Sequence, residues 1–350
     1  MRIVHIAPLE EPVPPKKYGG TELVIHNIVE EQVKRGHEVY LLATGDSQTT
    51  ANLIPIIPRS LRALYNPEEI DKWREFLKIY ALREILLQIR KIQPDIIHNH
   101  YAWRLMQFSP FIEAPIFHTM HGPLESFKER YVYERNPSEN YVSISNNQRK
   151  ALPYLNWVRT VYNGIDMEQF ALPKPKNTEY FVFLGRTSPQ KGLKEIVQMI
   201  SKTSHKLKIA AKIDTEDTAY YEQEVKPFVD GKQIEYIGEI GPEEKATFLS
   251  GAKGLLLWLN WEEPFGLVVA EAMAAGTPVI VNPRGSMPEL IESGKTGFLV
   301  NTLEEMQQAL DKVDTIRAED CRQHVQDNFS VEKMVSDYLD LASELTQKRK

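Results

Sequence analysis

The sequence is nearly without sulfur chemistry. Cys321 is the only cysteine in 350 residues, so no internal disulfide can form. No cysteine and histidine cluster has the spacing of a structural zinc site. Both absences fit a reducing compartment, and the chain is expected to be cytoplasmic. Long apolar runs are missing too: none approaches the ~18 residues needed to span a bilayer. The opening Met1 to Pro8 is too short for a signal core, and Glu10 and Glu11 follow it. There is no excess of base. With 42 Lys and Arg against 48 Asp and Glu, the formal charge is -6, which repels polyanions and argues against a nucleic-acid partner. Neither a G-x-G-x-x-G run nor a Walker lysine pattern occurs, so a dinucleotide dehydrogenase or a P-loop ATPase is unsupported. Low-complexity tracts and short repeats are absent as well.

What is present is alternation. Short β-branched runs recur between amphipathic segments: Ile3 to Ile6, Val39 to Ala43, Asp95 to His98, Ile116 to Met120, Tyr141 to Ile144 and Thr160 to Tyr162. Between the first two, Thr21 to Arg35 carries Leu23, Val24, Ile28 and Val29 at helical spacing, and Gly36 is a suitable stop. Strand, helix, strand in this order predicts βαβ units and a parallel sheet. After Asn163-Gly164 the pattern restarts with Tyr180 to Leu184, Lys208 to Ala211, Ile234 to Ile237, Gly254 to Trp258 and Pro278 to Val281. Two α/β domains are therefore expected, over residues 1–168 and 169–329. The seam falls near Asp166 to Asn177, where prolines and lysines interrupt both periodicities. The last apolar-periodic segment, within 330–350, is expected to pack back on the first domain. Arg59 to Lys91 mixes basic, acidic and large apolar residues and reads as a solvated helical face rather than a membrane-surface helix.

In open α/β sheets ligands lie beyond the carboxyl ends of the strands, so the loops after strands hold the candidates. The first such loop ends in Tyr18-Gly19-Gly20-Thr21-Glu22. Two glycines at a helix N-terminus let backbone N–H groups approach an anion, although Gly19-Gly20 could equally be a tight turn. In the second domain Arg186 ends a strand and Lys191-Gly192 leads into the next helix. A guanidinium and an ammonium on one loop suit a diphosphate. The stretch Glu263-Pro264-Phe265-Gly266-Leu267 to Gly276 predicts a helix of about a dozen residues, starting at Pro264 and capped by Gly276. Glu271 then lies mid-helix, where a carboxylate needs partners. Eight residues of helix would separate Glu263 from Glu271 by ~12 Å, too far for the roughly 5–9.5 Å of paired glycosidase carboxylates. Two sub-sites of one elongated ligand suit the pair better. His98 and His100 project the same way from a strand end, but no third ligand is evident beside them.

The run Glu263 to Val279 resembles the hallmark of glycosyltransferase family 4, a glutamate, seven residues and a second glutamate within E-P-F-G-L-x-x-x-E-A-M-A-x-G-T-P-V. The likeness extends along the chain through Thr119-Met120-His121-Gly122, Val161 to Asp166, Gly185-Arg186 with Lys191-Gly192, and Gly285-Ser286-Met287-Pro288-Glu289. The N-terminal loop resembles the bacterial branch reading P-P-K-x-Y-G-G-T-E, whose second strand ends as Thr44-Gly45-Asp46-Ser47 does here. The resemblance implies the GT-B fold, two Rossmann-like parallel-sheet domains facing across a cleft. It implies a retaining sugar transfer from a nucleotide sugar, a UDP-sugar favoured and GDP-mannose next, to an acceptor that is a small molecule, a glycan or lipid-linked. By resemblance Arg186 and Lys191 hold the donor diphosphate, Glu271 the ribose, and Glu263 the sugar hydroxyls. The N–H groups of Phe265, Gly266 and Leu267 support sugar and phosphate, and His121 lies under the anomeric carbon. No metal and no cofactor are expected, since Arg and Lys take that electrostatic role. Ile209 to Asp214 departs from the family's A-G-x-G-P-like turn beside the base.

The expected chemistry is departure of the diphosphate, stabilised by Arg186, Lys191 and helix N-termini, with attack on the same face and the two domains closing over the donor. Three alternatives stand beside it: a sugar-nucleotide epimerase, a non-catalytic carbohydrate- or nucleotide-binding protein, and a transferase peripheral to the inner membrane face acting on a lipid acceptor.

Overall fold

In the computed structural model of the chain, residues 1–16, 19–170 and 178–348 are described. Tyr18 and the later part of the seam, residues 171–177, lie outside that description. The chain forms two compact units, Met1–Gly164 with Val331–Lys350, and Ile165–Ser330. Each is built on one parallel sheet.

The first sheet contains β1 (Arg2–Ile6), β2 (Glu38–Thr44), β3 (Asn52–Ile57), β4 (Ile96–Asn99), β5 (Ile116–Met120), β6 (Tyr141–Ser143) and β7 (Trp157–Thr160), in the order β3-β2-β1-β4-β5-β6-β7. Its central strands are buried on both faces, as a parallel sheet covered by helices requires. Period-two alternation sorts the core. Val39, Leu41 and Ala43 pack with Ile25 and Val29 of α1 (Gly20–Lys34) on one face. Val4, Ile6 and Leu42 meet Ala81, Ile85 and Ile89 of α2 (Pro67–Ile92) on the other. Each valine, leucine or isoleucine among these contributes about 1.5–3 kcal/mol on burial. β3 was not foreseen. It contains Pro55, which removes a ladder donor and is tolerated because β3 is an edge strand. The predicted Thr160 to Tyr162 strand lies upstream, at Trp157–Thr160.

The second sheet contains β8 (Tyr180–Arg186), β9 (Lys206–Lys212), β10 (Ile234–Gly238), β11 (Gly254–Leu257), β12 (Val279–Val281) and β13 (Gly297–Leu299), in the order β10-β9-β8-β11-β12-β13. Its helices include α3 (Leu193–Ile200), α4 (Pro242–Ser250), α5 (Leu267–Ala274) and α6 (Ala318–Asn328). Ile165 bridges Ser330, so the chain enters and leaves this unit at neighbouring points. The final helix, α7 (Val331–Gln347), then returns to the first unit. There Arg35 donates to Glu332 O and Ser336 Oγ, each at 2.9 Å, and Thr119 Oγ1 donates to Tyr338 OH at 3.2 Å.

The Arg59 to Lys91 segment includes nearly all of α2, and its exposed face is not purely polar. Trp73, Phe76, Ile79, Tyr80 and Leu87 are exposed on α2, beside a groove of about 1210 Å³ that is lined by Ile79, Leu86, Phe108 and Phe111 among others. Among the described residues no helix is long and apolar enough to cross a membrane.

Candidate functional site

In the second unit the direction of winding reverses between β8 and β11, which makes their carboxyl ends the switch point of the sheet. The loops leaving those two strands are joined. Asn260 donates through its backbone N–H to Gln190 O at 2.9 Å and through Nδ2 to Pro189 O at 3.0 Å. Gly192, at φ +66°, lies where an added Cβ would stand 1.8 Å from Trp258 O. Only glycine permits both that conformation and that approach.

This junction sets the charged side chains. Lys191 Nζ bonds Glu263 Oε2, both side chains being about nine-tenths buried, and the ammonium stands 5.1 Å from the Trp261 ring centroid. Arg186 ends β8 with its Nη1 3.8 Å from Asp214 Oδ2, while its Nε is buried without a partner. Asp214 is drawn the other way by Lys212 Nζ at 2.8 Å. The Glu263 segment is clamped by the Gly285-Ser286 turn: Ser286 N–H donates to Glu263 O at 3.0 Å and Ser286 Oγ to Phe265 O at 2.6 Å. Gly285 N–H donates to Glu262 Oε2 at 2.9 Å.

The helix after this segment is shorter than its sequence suggests. It runs Leu267–Ala274 with Gly266 as N-cap at φ +86°, where an added Cβ would meet Met287 Cε at 2.7 Å. Pro264 therefore precedes the helix, because Glu263 to Phe265 are held by the Gly285-Ser286 turn instead. The C-terminal end follows expectation: Gly276 N–H bonds Met273 O and Thr277 N–H bonds Ala272 O, the paired closure that a left-handed glycine allows. Glu263 is consequently not on one helix with Glu271, and the ~12 Å helical separation does not apply. The two carboxylates have different cations. Glu271, in α5 and 5% exposed, bonds Lys245 Nζ of α4 at 2.7 Å. The helix leaves the N–H groups of Leu267 and Val268 without intrahelical partners, as every helix start does.

The first unit also reverses direction, between β1 and β4. His5 pairs in register with His98 there, and His100 N–H donates to Ile6 O at 3.0 Å. The rings form a row. His5 Nε2 meets Gln32 Oε1 of α1 at 2.8 Å, His5 Nδ1 meets His100 Nε2 at 3.1 Å, and His100 Nδ1 meets His121 Nε2 at 2.8 Å. Burial holds these imidazoles neutral: His5 and His121 are pushed down to about 4, and His98 and His100 well below the ordinary histidine range. Gln148 fixes the loop after β5 by donating to Met120 O and Gly122 O, both at 2.8 Å. His5, His98 and His100 each offer a ring nitrogen within 4.8 Å of the others. His5 is thus the third nitrogen that the H-x-H reading lacked, although its facing nitrogen already bonds His100.

Gly19 and Gly20 stand at the start of α1, as the glycine-loop reading expects. A Cβ on Gly19 would approach Pro15 Cβ to 2.6 Å. Glu22 in the first turn is 7% exposed, and burial, helped by Glu11, raises its carboxyl to about 7. Neither glycine bonds His121. The structure thus joins Lys191 to Glu263 and His121 to a histidine row. Sequence reasoning gave no role to Gln32, His5, Gln148, Asp214, Lys245 or Ser286, although Asp214 and Ser286 stood in stretches it singled out. The hallmark glutamates gave the only hint, since a buried carboxylate calls for a cation such as Lys245.

Comparison with known proteins gives two matches that together span most of the chain. Residues 18–169 match the model described as Glycosyltransferase Family 4, and residues 165–328 that described as Glycosyl transferases group 1. A probable sucrose-phosphate synthase of Thermosipho melanesiensis is 24% identical over 295 residues, 71% of this chain and 70% of that protein. Among solved structures, the sucrose-phosphate synthase of Thermosynechococcus elongatus superposes with a TM-score of 0.81 at 19% identity, over 99% of this chain and 100% of the other. The HepE protein of Anabaena, solved with UDP-glucose, gives 0.77 at 16% identity, over 98% and 100%. At these identities the structural likeness establishes the fold.

Proposed function

From the premise that this chain is a GT-B-fold glycosyltransferase related to those two families, we propose that it transfers a sugar from a UDP-sugar, with GDP-mannose the next choice of donor, to a hydroxyl acceptor with retention of anomeric configuration. The observation that carries the reading is the pair of joined loops at the β8 and β11 switch point, which brings Lys191 to Glu263 in the segment before α5, with Arg186 at the end of β8.

The electrostatics support a diphosphate there. Lys191 and Glu263 neutralise one another, and Arg186 shares Asp214 with Lys212. An arriving diphosphate would draw Lys191 from Glu263, freeing that carboxylate to accept from sugar hydroxyls. The first N–H groups of α5, at Leu267 and beside Phe265 and Gly266, add positive potential. Glu271, held by Lys245, is assigned to the ribose hydroxyls. As the bond from the anomeric carbon to the diphosphate oxygen breaks, negative charge grows on the leaving group. Arg186 and Lys191 then bind it more tightly than the intact donor, which lowers the barrier. No side-chain nucleophile is invoked: the leaving phosphate oxygen takes the acceptor's proton as the hydroxyl attacks the same face. We assign His121 to the donor sugar, as the family resemblance implies, and Gly19-Gly20 to a phosphate. Residues 1–168 with 330–350 would serve the acceptor, and 169–329 the donor.

A thermal-shift panel of UDP, GDP and ADP with their sugars tests the donor. A ligand at 100 times its Kd stabilises by about 2.7 kcal/mol, and UDP compounds should give the largest rise. A rise confined to ADP compounds would contradict the proposal. Inverted configuration of the new linkage by NMR would end the retaining mechanism.

The exposed aromatic face of α2 favours a second reading of the acceptor, one carried on a lipid at the inner membrane face. Co-sedimentation with anionic vesicles at low and high salt tests it, and no sedimentation at either salt would dismiss it.

A further inference from the structure

We propose that Gln32, His5 and His100 are positioning residues that lock His121 as its Nε2–H tautomer, leaving Nδ1 as a fixed acceptor for a hydroxyl of the carbohydrate substrate. The inference rests on the assignment of His121 to the donor site made above.

Proton counting carries it. A neutral imidazole has one N–H and one bare nitrogen, so a ring that makes two hydrogen bonds must donate one and accept the other. His5 and His100 each make two in this row. The direction is set at the far end, where the acceptor is Gln32 Oε1. His5 therefore donates from Nε2 and accepts at Nδ1 from His100 Nε2–H. His100 Nδ1 in turn accepts from His121 Nε2–H, and His121 Nδ1 has no partner among the described residues. All three rings take the same tautomer.

The row is rigid as well as ordered. Gln32 is 2% and His5 0% exposed, and His98 lies against His100 with ring centroids 3.8 Å apart. Gln148 grips the backbone on either side of His121. Nor can the row conduct a proton, because an amide oxygen at its end is far too weak a base to receive one. Burial also keeps the rings neutral near pH 7. His121 thus acts by accepting a hydrogen bond, and the array serves to orient it.

The test uses the full chain with ¹⁵N-labelled histidine and long-range ¹H–¹⁵N correlation at pH 7, with His121 assigned from His121→Ala. The expected result is protonated Nε2 and bare Nδ1 at His121, His100 and His5. In His100→Phe, which keeps a ring in place, His121 should populate both tautomers. Hydrolysis of UDP-glucose should then fall about 5- to 10-fold in kcat, the scale of one hydrogen bond, while UDP affinity holds. Nδ1–H at His121 in the unaltered chain would overturn the proposal. So would one retained tautomer with unchanged kcat in His100→Phe, or stoichiometric zinc seated between His5 and His100. Unchanged hydrolysis in His121→Ala would instead remove His121 from the site, and the tautomers of the unaltered chain distinguish that failure from a failure of the row.

Discussion

Lys191 and Glu263 are a nearly buried ion pair, and that changes what a single substitution does. Lys191→Ala leaves the Glu263 carboxylate without its cation, so the variant should lose about 3 kcal/mol of stability and on the order of 10²–10³ in kcat. Adding Glu263→Gln should recover most of the stability in chemical denaturation and none of the turnover. Recovery of turnover would remove Lys191 from the mechanism. Glu22 makes a second residue-scale prediction. Its folded carboxyl titrates at about 7 against about 4.5 in an unfolded chain. The folded state therefore holds the proton longer, and stability is lost as pH rises from 4.5 through 7. Glu22→Gln should gain about 2–3 kcal/mol at pH 8 and little at pH 4.5, measured by urea denaturation. A gain of the same size at both values would show that the carboxyl is not destabilised by burial.

At the scale of elements, the sequence was most legible where periodicity was long. The α1 helix, its Gly36 stop and most central strands fall within a residue or two of where alternation places them. The elements it missed have physical reasons. β3 contains Pro55, and β13 is three residues long. The start of α5 was misplaced because Pro264 suits a first helical turn but tertiary bonds from Ser286 hold its neighbours outside the helix. Gly285-Ser286 could be quoted as part of a motif, yet its task of clamping Glu263 needed coordinates. That clamp is testable. A Cβ at Gly285 would lie 2.3 Å from Glu263 N and O, at φ +61°. Gly285→Ala should therefore cost about 2–3 kcal/mol and lower kcat/KM by more than its melting change explains. Wild-type kcat/KM in a chain that remains folded would separate the turn from the site.

Across the whole molecule, the residues that sequence reasoning could not find are those joined over long separations. His5 and His98 are 93 positions apart and meet only because β1 and β4 flank a switch point. That row of histidines also shapes stability. Unfolded histidine takes up protons near pH 6.5, whereas His5 and His121 do so only near pH 4. Their stabilising contribution is full above 6.5 and is lost as pH falls towards 4, by about 2 kcal/mol each between pH 7 and 5. Glu22 works in the opposite sense across this range, yet His5 and His121 together outweigh it. Urea midpoints should fall between pH 7 and 5, and a flat profile would show that the row is not held neutral.

The central claim is that the switch point of the second sheet receives a diphosphate, and a crystal structure of the chain with UDP tests it most directly. The account predicts phosphate oxygens about 3 Å from both the Arg186 guanidinium and the Lys191 ammonium, with Lys191 drawn off Glu263. A diphosphate bound elsewhere, with the Lys191 and Glu263 pair intact, would contradict it.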